Sequence, residues 1–249
     1  MLISIYLANS ISKELYKRER SLSQAYSELA SAEETKSRYV MTIVHDLKTP
    51  ITAAITYLSM LLDGTLGELK KEQIKPVERS KLRLGGAIET INNILHISQL
   101  KLETNKSNHK LTDINSIILE IYNDMKVLFK SKNISFKIIK DDNEQYTIFS
   151  DPNLLKLALS NMMSNSYKYT EPNGIVEIVL GKTEENVSIK ITDSGIGIPE
   201  NDIKRIFEDF YRSPLSKKKG IEGTGLGLSL VLQIIKLFDG EITAKSPSY

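Results

Sequence analysis

Between Ser12 and Glu103 the chain carries almost no helix-breaking content beyond Pro50, Pro76 and a few glycines. Gly and Pro are the residues that penalise a helix interior heavily, so this stretch has to be helix nearly throughout. Leu15, Leu22 and Leu29 recur every seven residues, with Ala25 and Ala32 between them. That hints at a coiled seam, weakened by Arg18 and Lys36. Ile43, Leu47, Ile51, Ala54, Ile55, Leu58, Leu61 and Leu62 follow spacings of three and four, one apolar stripe on a long helix. Asp63-Gly64-Thr65-Leu66-Gly67 breaks it, and a second stripe runs Ile74, Val77, Leu84, Ile88, Ile91, Leu95. The pattern predicts a helical hairpin with two long arms. Two arms cannot bury both stripes between themselves, so pairing of two chains into a four-helix bundle completes the structure.

The second half reads differently. Thr104 to His109 is polar and aperiodic, a linker. Beyond it, helix is expected over Ile114–Phe129 and strands over Ile134–Ile139 and Tyr146–Ser150. A helix follows over Asp151–Thr170, with Asp151 as N-cap and Pro152 at the first helical position. Strands at Ile175–Leu180 and Val187–Thr192 lead to a glycine-rich stretch and a helix around Glu200–Ile206. A basic loop and more glycines precede a helix over Leu226–Phe238, and a short strand over Glu241–Ala244 closes the chain. The expected fold class is an α helical hairpin followed by an α+β sandwich, a mixed sheet with helices on one face. The expected domains are residues 1–36 (signalling helix), 37–103 (hairpin), 104–110 (linker) and 111–249 (sandwich).

Composition excludes several chemistries. The 249 residues suit two ordinary domains. With no Cys, disulfides, thiolate zinc sites, iron–sulfur clusters and cysteine nucleophiles are excluded. His45, His96 and His109 are the only imidazoles. Residues 1–110 hold 16 basic and 12 acidic side chains, and residues 111–249 hold 17 and 19. Neither half has the basic excess of a nucleic-acid surface, so no nucleic-acid partner is expected.

Four patterns can carry chemistry. In His45-Asp46-Leu47-Lys48-Thr49-Pro50, Asp46 can accept a proton from one imidazole nitrogen and sharpen the other as a nucleophile. Thr49 lies four residues on, on the same helix face. Pro50 frees a backbone carbonyl beside the histidine. Asn161, Asn165 and Lys168 share one side of a helix, where amide oxygens suit magnesium and Lys suits phosphate. Asp193-Ser-Gly195-Ile-Gly197 follows a strand, and its glycines let backbone approach a ligand. Gly223-Thr224-Gly225-Leu226-Gly227 opens a helix, where backbone amides attract anions. Its Gly-x-Gly-x-Gly spacing fits neither the dinucleotide fingerprint nor the Walker pattern. Between the last two lie Phe207-Glu-Asp-Phe210-Tyr211-Arg212 and Lys217-Lys218-Lys219-Gly220, a candidate mobile lid. Each pattern alone is also what an ordinary solvated face or glycine turn looks like.

In this order the patterns resemble the catalytic core of sensor histidine kinases of two-component signal transduction. His45–Pro50 is similar to the phosphoacceptor box and Asn161–Lys168 to the asparagine box. Asp193–Gly197 is similar to the first glycine box, Phe207–Phe210 to the phenylalanine box, and Gly223–Gly227 to the second glycine box. The resemblance spans about residues 30–245. It implies a homodimeric phosphotransfer hairpin and an ATP-binding domain of the gyrase, heat-shock, kinase and MutL type (the Bergerat or GHKL fold), using ATP and Mg2+. By resemblance, Asp193 would bind the adenine amino group, with Gly195 and Gly197 in the same loop. Asn161 and Asn165 would hold magnesium and phosphates, with Lys168 nearby, and Tyr169 would pack close to the nucleotide. Gly223, Thr224, Gly225, Leu226 and Gly227 would cradle the phosphate tail, and Arg212 would help at the γ-phosphate. His45 would be phosphorylated and pass the group to a response-regulator aspartate. Asp46 and Thr49 match the family's phosphatase pattern. The alternatives are a GHKL-fold ATPase or serine kinase, an inactive dimeric scaffold, and a structural coiled coil carrying an unrelated domain.

Both termini depart from the family. Met1 to Ile11 is apolar but far short of the about 20 residues needed to cross a bilayer. It reads either as the exposed end of a helix or as the stump of a longer membrane helix. The expectation is the cytoplasmic portion of a membrane-anchored bacterial protein, soluble as this chain and tied to a membrane only through upstream segments. Homologues continue past Ser246–Tyr249 through further strands, so a C-terminally truncated sandwich with an open sheet edge is expected.

Overall fold

The computed structural model describes residues 2–102 and 108–246, and side chains over 13–100 and 108–246. The linker expected at 104–110 falls largely outside what is described, as do the side chains of the apolar start of the chain. Two helices open the fold: α1 (Leu2–Leu62), unbroken through Pro50, and α2 (Lys71–Leu102). The turn between them forms because Asp63 Oδ1 accepts hydrogen bonds from Thr65 N (2.9 Å) and Thr65 Oγ1 (2.5 Å). Gly64 and Gly67 take φ of +82° and +106°, a region other residues enter at a cost. Among the described residues no helix is long and apolar enough to cross a membrane.

The hairpin departs from expectation on one face. Val44, not Ile43 or Leu47, is the buried residue at that level of α1, and Ile91 is buried on α2. Ile43 and Leu47 are 56 % and 49 % exposed, as are the heptad residues Leu15, Leu22 and Leu29 at about 60 %. The spacing of three and four is present, but α2 covers a face rotated from the one that carries Ile43 and Leu47.

The second unit starts one element earlier than the periodicity indicated. A strand β1 (Lys110–Asp113) precedes α3 (Ile114–Ser131), whose N-cap is Asp113. Then come β2 (Ser135–Ile139), β3 (Thr147–Ser150), α4 (Pro152–Tyr169), β4 (Ile175–Lys182) and β5 (Val187–Asp193). Asp151 caps α4, accepting from Asn153 N and Leu154 N, with Pro152 at the first helical position as expected. Short helices α5 (Glu200–Ile203) and α6 (Pro214–Lys218) precede α7 (Gly227–Leu237).

The expected single mixed sheet is two sheets. β1 and β3 pair antiparallel, while β2–β4–β5 form a mixed sheet, parallel between β2 and β4 and antiparallel between β4 and β5. Ile114, Ile117, Ile118 and Ile121 of α3 pack with Leu155, Leu159 and Met163 of α4 onto Val176, Ile178 and Leu180 of β4. A second cluster joins Ala158 of α4 to Leu230, Val231 and Ile234 of α7, with Ile97 and Leu100 of α2 against it. The sandwich therefore presses on the hairpin through α4 and α7.

The strand expected over Glu241–Ala244 does not form. A strand needs a ladder partner, and this segment pairs with none among the described residues. Its contacts go elsewhere: Ile242 packs on the α4–α7 cluster, and Ser246 Oγ accepts from Ile198 N at 2.9 Å.

Candidate functional site

His45 and Asp46 are adjacent on the outer face of α1, with side chains 82 % and 72 % exposed. Their Nδ1 and Oδ1 atoms lie 3.3 Å apart. A carboxylate there favours the proton on Nδ1 and leaves the Nε2 lone pair outward. Thr49 is also exposed, and its hydroxyl donates to the backbone carbonyl of His45 at 3.3 Å. The carbonyl that the hydroxyl meets is that of His45, the residue before the Asp46 carbonyl that Pro50 was expected to free. No hydrogen bond or ion pair among the described residues joins these three to the sandwich.

The sandwich gathers its own cluster where α4, the segment after β5 and the start of α7 meet. Asn161 Nδ2 donates to Leu157 O at 2.9 Å, which commits the amide nitrogen to α4. Its oxygen faces the opening of α7: a β-carbon at Gly227 would stand 3.1 Å from Asn161 Oδ1 and 4.0 Å from Asn165 Nδ2. The asparagine pair and the second glycine segment, 62 residues apart from Asn165 to Gly227, are thus one wall. An outward amide oxygen is the hard donor that magnesium takes, so Asn161 fits that ion. Among the described residues no group of three or more His, Asp or Glu could hold a metal by itself.

The first glycine segment closes onto the end of α4. Gly195 N donates to Asp193 Oδ1 at 3.0 Å, and Ile196 N donates to Tyr169 O at 3.2 Å. A β-carbon at Gly195 would meet both Asp193 Oδ1 and Tyr169 O at 2.7 Å, so only glycine fits. The turn holds one Asp193 oxygen and leaves the other for a donor. Gly197 follows at φ +71°.

Residues 202–227 hold the segment that the sequence offers as a lid. Asp202, 8 % exposed, accepts from Tyr211 OH at 2.7 Å and Ser213 Oγ at 2.5 Å. The hydroxyl bonds from Ser213 and then Tyr211 hold its carboxyl below the ordinary value, and the same contact raises the Tyr211 phenol. The Arg205 guanidinium lies 4.2 Å from the Tyr211 ring centre. Arg212 Nη2 donates to Ile221 O, tying the two ends of the lid, while its Nε is buried with no partner. The basic run is partly helical, in α6, and Lys219 pairs with Glu171 at 3.2 Å. Gly225, at φ +75°, sits where a β-carbon would meet Phe210 C and Tyr211 O at 2.7 Å. Thr224 Oγ1 accepts from Leu226 N at 3.1 Å, and Leu226 is buried beneath the loop. Gly223 has no heavy atom within 4 Å of its would-be β-carbon, so it faces open space.

Sequence reasoning set the asparagines and the second glycine segment at the phosphates and Asp193 at the adenine; the structure brings Gly227 against Asn161 and Asn165, Gly225 against Phe210 and Tyr211, and Gly195 against Asp193 and Tyr169. It did not find Asp202, whose only signal was an acidic residue in a weakly amphipathic segment. Sequence reasoning gave Lys168 to a phosphate; in the structure its ammonium lies 2.8 Å from Glu89 of α2. His96 is half-buried; burial lowers its pKa, a hydrogen bond with Gln99 works against that, and the charge of Lys48 adds to it. His109 lies between Phe149, whose ring is tilted to it, and Phe238, which it meets edge-on, its ring nitrogens unpartnered.

Residues 35–103 match the family model described as His Kinase A (phospho-acceptor) domain. Residues 150–248 match that of the histidine kinase-, DNA gyrase B-, and HSP90-like ATPase. The circadian input-output histidine kinase CikA of Synechococcus elongatus is 29 % identical over 241 residues, 95 % of this chain and 32 % of its own length. Sensor protein kinase WalK of Staphylococcus aureus is 30 % identical over 226 residues, 88 % of this chain and 52 % of its own length. The chain thus spans between a third and about half the length of these curated relatives. In fold it is similar to histidine kinase ThkA, solved in complex with the response regulator protein TrrA. That match has a TM-score of 0.56 at 21 % identity, over 84 % of this chain and 59 % of that one.

Proposed function

Since the chain belongs to the sensor histidine kinases and carries their phosphoacceptor and ATPase domains in order, we propose that it phosphorylates His45 from ATP. The group then passes to an aspartate of a response regulator. The observation that carries this reading is the His45–Asp46 contact at 3.3 Å on an exposed helix face. It orients the imidazole so that its second nitrogen is open to a phosphoryl donor.

His45 Nε2 attacks the γ-phosphorus. A nitrogen–phosphorus bond forms, the bond from that phosphorus to the β,γ-bridging oxygen breaks, and ADP leaves. Asp46 holds the Nδ1 proton and takes it as the ring becomes cationic. Asp193, through the oxygen its turn leaves unused, receives the adenine amino group. The amides at the start of α7 face the phosphate tail. Asn161 and Asn165 would hold magnesium, which when bound offsets charge developing on the phosphate oxygens. Thr49, on the face of His45, orients water for hydrolysis of the phosphorylated regulator.

Two chains pair through the hairpin. Ile43 and Leu47 support this, because they are apolar, exposed and one turn apart on the face that α2 leaves open. The response regulator is the partner that the fold relative ThkA has in its complex.

Incubation with Mg·ATP labelled at the γ-position tests the reading. Label should become attached to protein in an acid-labile, base-stable form. It should be absent from His45→Gln, which still binds nucleotide. Acid-stable phosphate would point instead to a serine kinase of the same fold, and label on His45→Gln would overturn the assignment.

A further inference from the structure

Lys168 stands three residues beyond Asn165 on α4, on the same side as the asparagine pair. Its Nζ is 2.8 Å from Glu89 Oε1, across 79 residues of sequence and across the boundary between hairpin and sandwich. The lysine side chain is 27 % exposed and the glutamate 45 %. The same two helices also meet through an apolar contact, in which Ile97 and Leu100 of α2 rest on the α4–α7 cluster. Docking of α2 therefore places a carboxylate on the cation at the end of the proposed phosphate-binding face.

We propose that Glu89 is an internal competitor for nucleotide phosphate at Lys168, so that nucleotide binding and this docked arrangement oppose each other. The inference rests on the reading of α4 as the nucleotide helix. A triphosphate held near Lys168 brings like charge against Glu89, and two such anions a few ångströms apart repel whatever donors the ammonium still offers. Either the carboxylate leaves or the phosphate binds less tightly. Linkage makes the effect reciprocal: nucleotide loosens α2 from the sandwich by the factor that docking weakens nucleotide. An empty site thus keeps the sandwich docked, and a filled site frees it to move relative to the hairpin.

The test is titration of the full chain with a fluorescent ADP analogue and magnesium, for wild type, Glu89→Gln, Lys168→Met and the double variant. Glu89→Gln is expected to tighten binding about fivefold. In the Lys168→Met background the same change should shift affinity less than about twofold, because the coupling runs through that ammonium. Unchanged affinity in Glu89→Gln overturns the proposal. Weaker binding does so too, by making Glu89 a residue that positions Lys168 for phosphate. An effect of equal size without Lys168 overturns it as well, reducing Glu89 to general surface charge. A wild-type chain that binds no nucleotide instead removes the reading of α4 on which the proposal rests. Thermal melting of each variant checks that the fold is kept.

Discussion

A β-carbon placed on Gly227 would stand 3.1 Å from the amide oxygen of Asn161. Gly227→Ala therefore pushes that oxygen aside by a few tenths of an ångström and leaves the backbone intact. Nucleotide affinity is expected to fall about tenfold, the equivalent of losing one good polar contact, with little change in urea denaturation. Gly225→Ala should behave otherwise. It forces alanine to φ +75° and against Phe210 and Tyr211 backbone atoms, so it should destabilise the sandwich by about 2 kcal/mol. Denaturation midpoints and nucleotide titrations of the two variants separate these outcomes; equal effects on stability would contradict the account.

Thr49→Ala removes a hydroxyl that bonds only to the backbone of its own helix turn. The kinase half-reaction should survive within about twofold, whereas removal of phosphate from the regulator should fall by about a hundredfold, the usual range of a positioned catalytic group. The two rates are measured with purified regulator. Parallel loss of both would refute the role given to Thr49.

Leu47→Glu places a carboxylate on the open face of α1. Burying an unpaired charge at a chain–chain seam costs several kcal/mol, so the dimer dissociation constant should rise about a hundredfold or more. Sedimentation gives the mass, and nucleotide titration should be unaffected because the sandwich folds on its own core. A dimer of unaltered strength would move the seam elsewhere.

Burial depresses the pKa of His96 below its ordinary value of about 6.5. The unfolded chain then binds more protons than the folded one between the two values, so stability falls as pH drops through that window. Melting should be lower at pH 5.5 than at pH 7.5, and His96→Gln should flatten part of the difference. No reduction of the slope in that variant would rule His96 out as the cause.

Asp202 is the anchor of the lid base, with two hydroxyls bonded to one carboxylate. Hydrogen bonds to a charged acceptor contribute about 1.5–3 kcal/mol each, so Asp202→Ala should open the segment locally. Trypsin should cut at Lys217, Lys218 or Lys219 at least about tenfold faster. Unaltered cleavage would show that Arg212 and Ile221 hold the lid without it.

The helix that carries Asn161 could be read from sequence because every local signal agrees: Asp151 caps it, Pro152 starts it, and Leu155, Leu159 and Met163 repeat on one side. β1 was hidden because its burial inverts polarity. Leu111 is 71 % exposed, while Thr112 is buried with its hydroxyl bonded to Ser150 O. Ile43 and Leu47 show the limit of periodicity, which marks an apolar face without naming what covers it. Glu241–Ala244 had strand-like residues and, among the described residues, no ladder to join. The approach of Gly227 to Asn161 and the Glu89–Lys168 pair arise from tertiary packing, and nothing local in the sequence encodes them.

The bond from Ile196 N to Tyr169 O fastens the first glycine segment to the last turn of α4. The opposite side of the cleft, from Asp202 to Gly225, is fastened mainly to itself, through Tyr211, Ser213 and the Arg212–Ile221 bond. One bank is tied to α4 through its backbone, and the other reaches the end of that helix through the Lys219–Glu171 pair. On the proposed reading, that second bank is the one whose opening would let ADP depart.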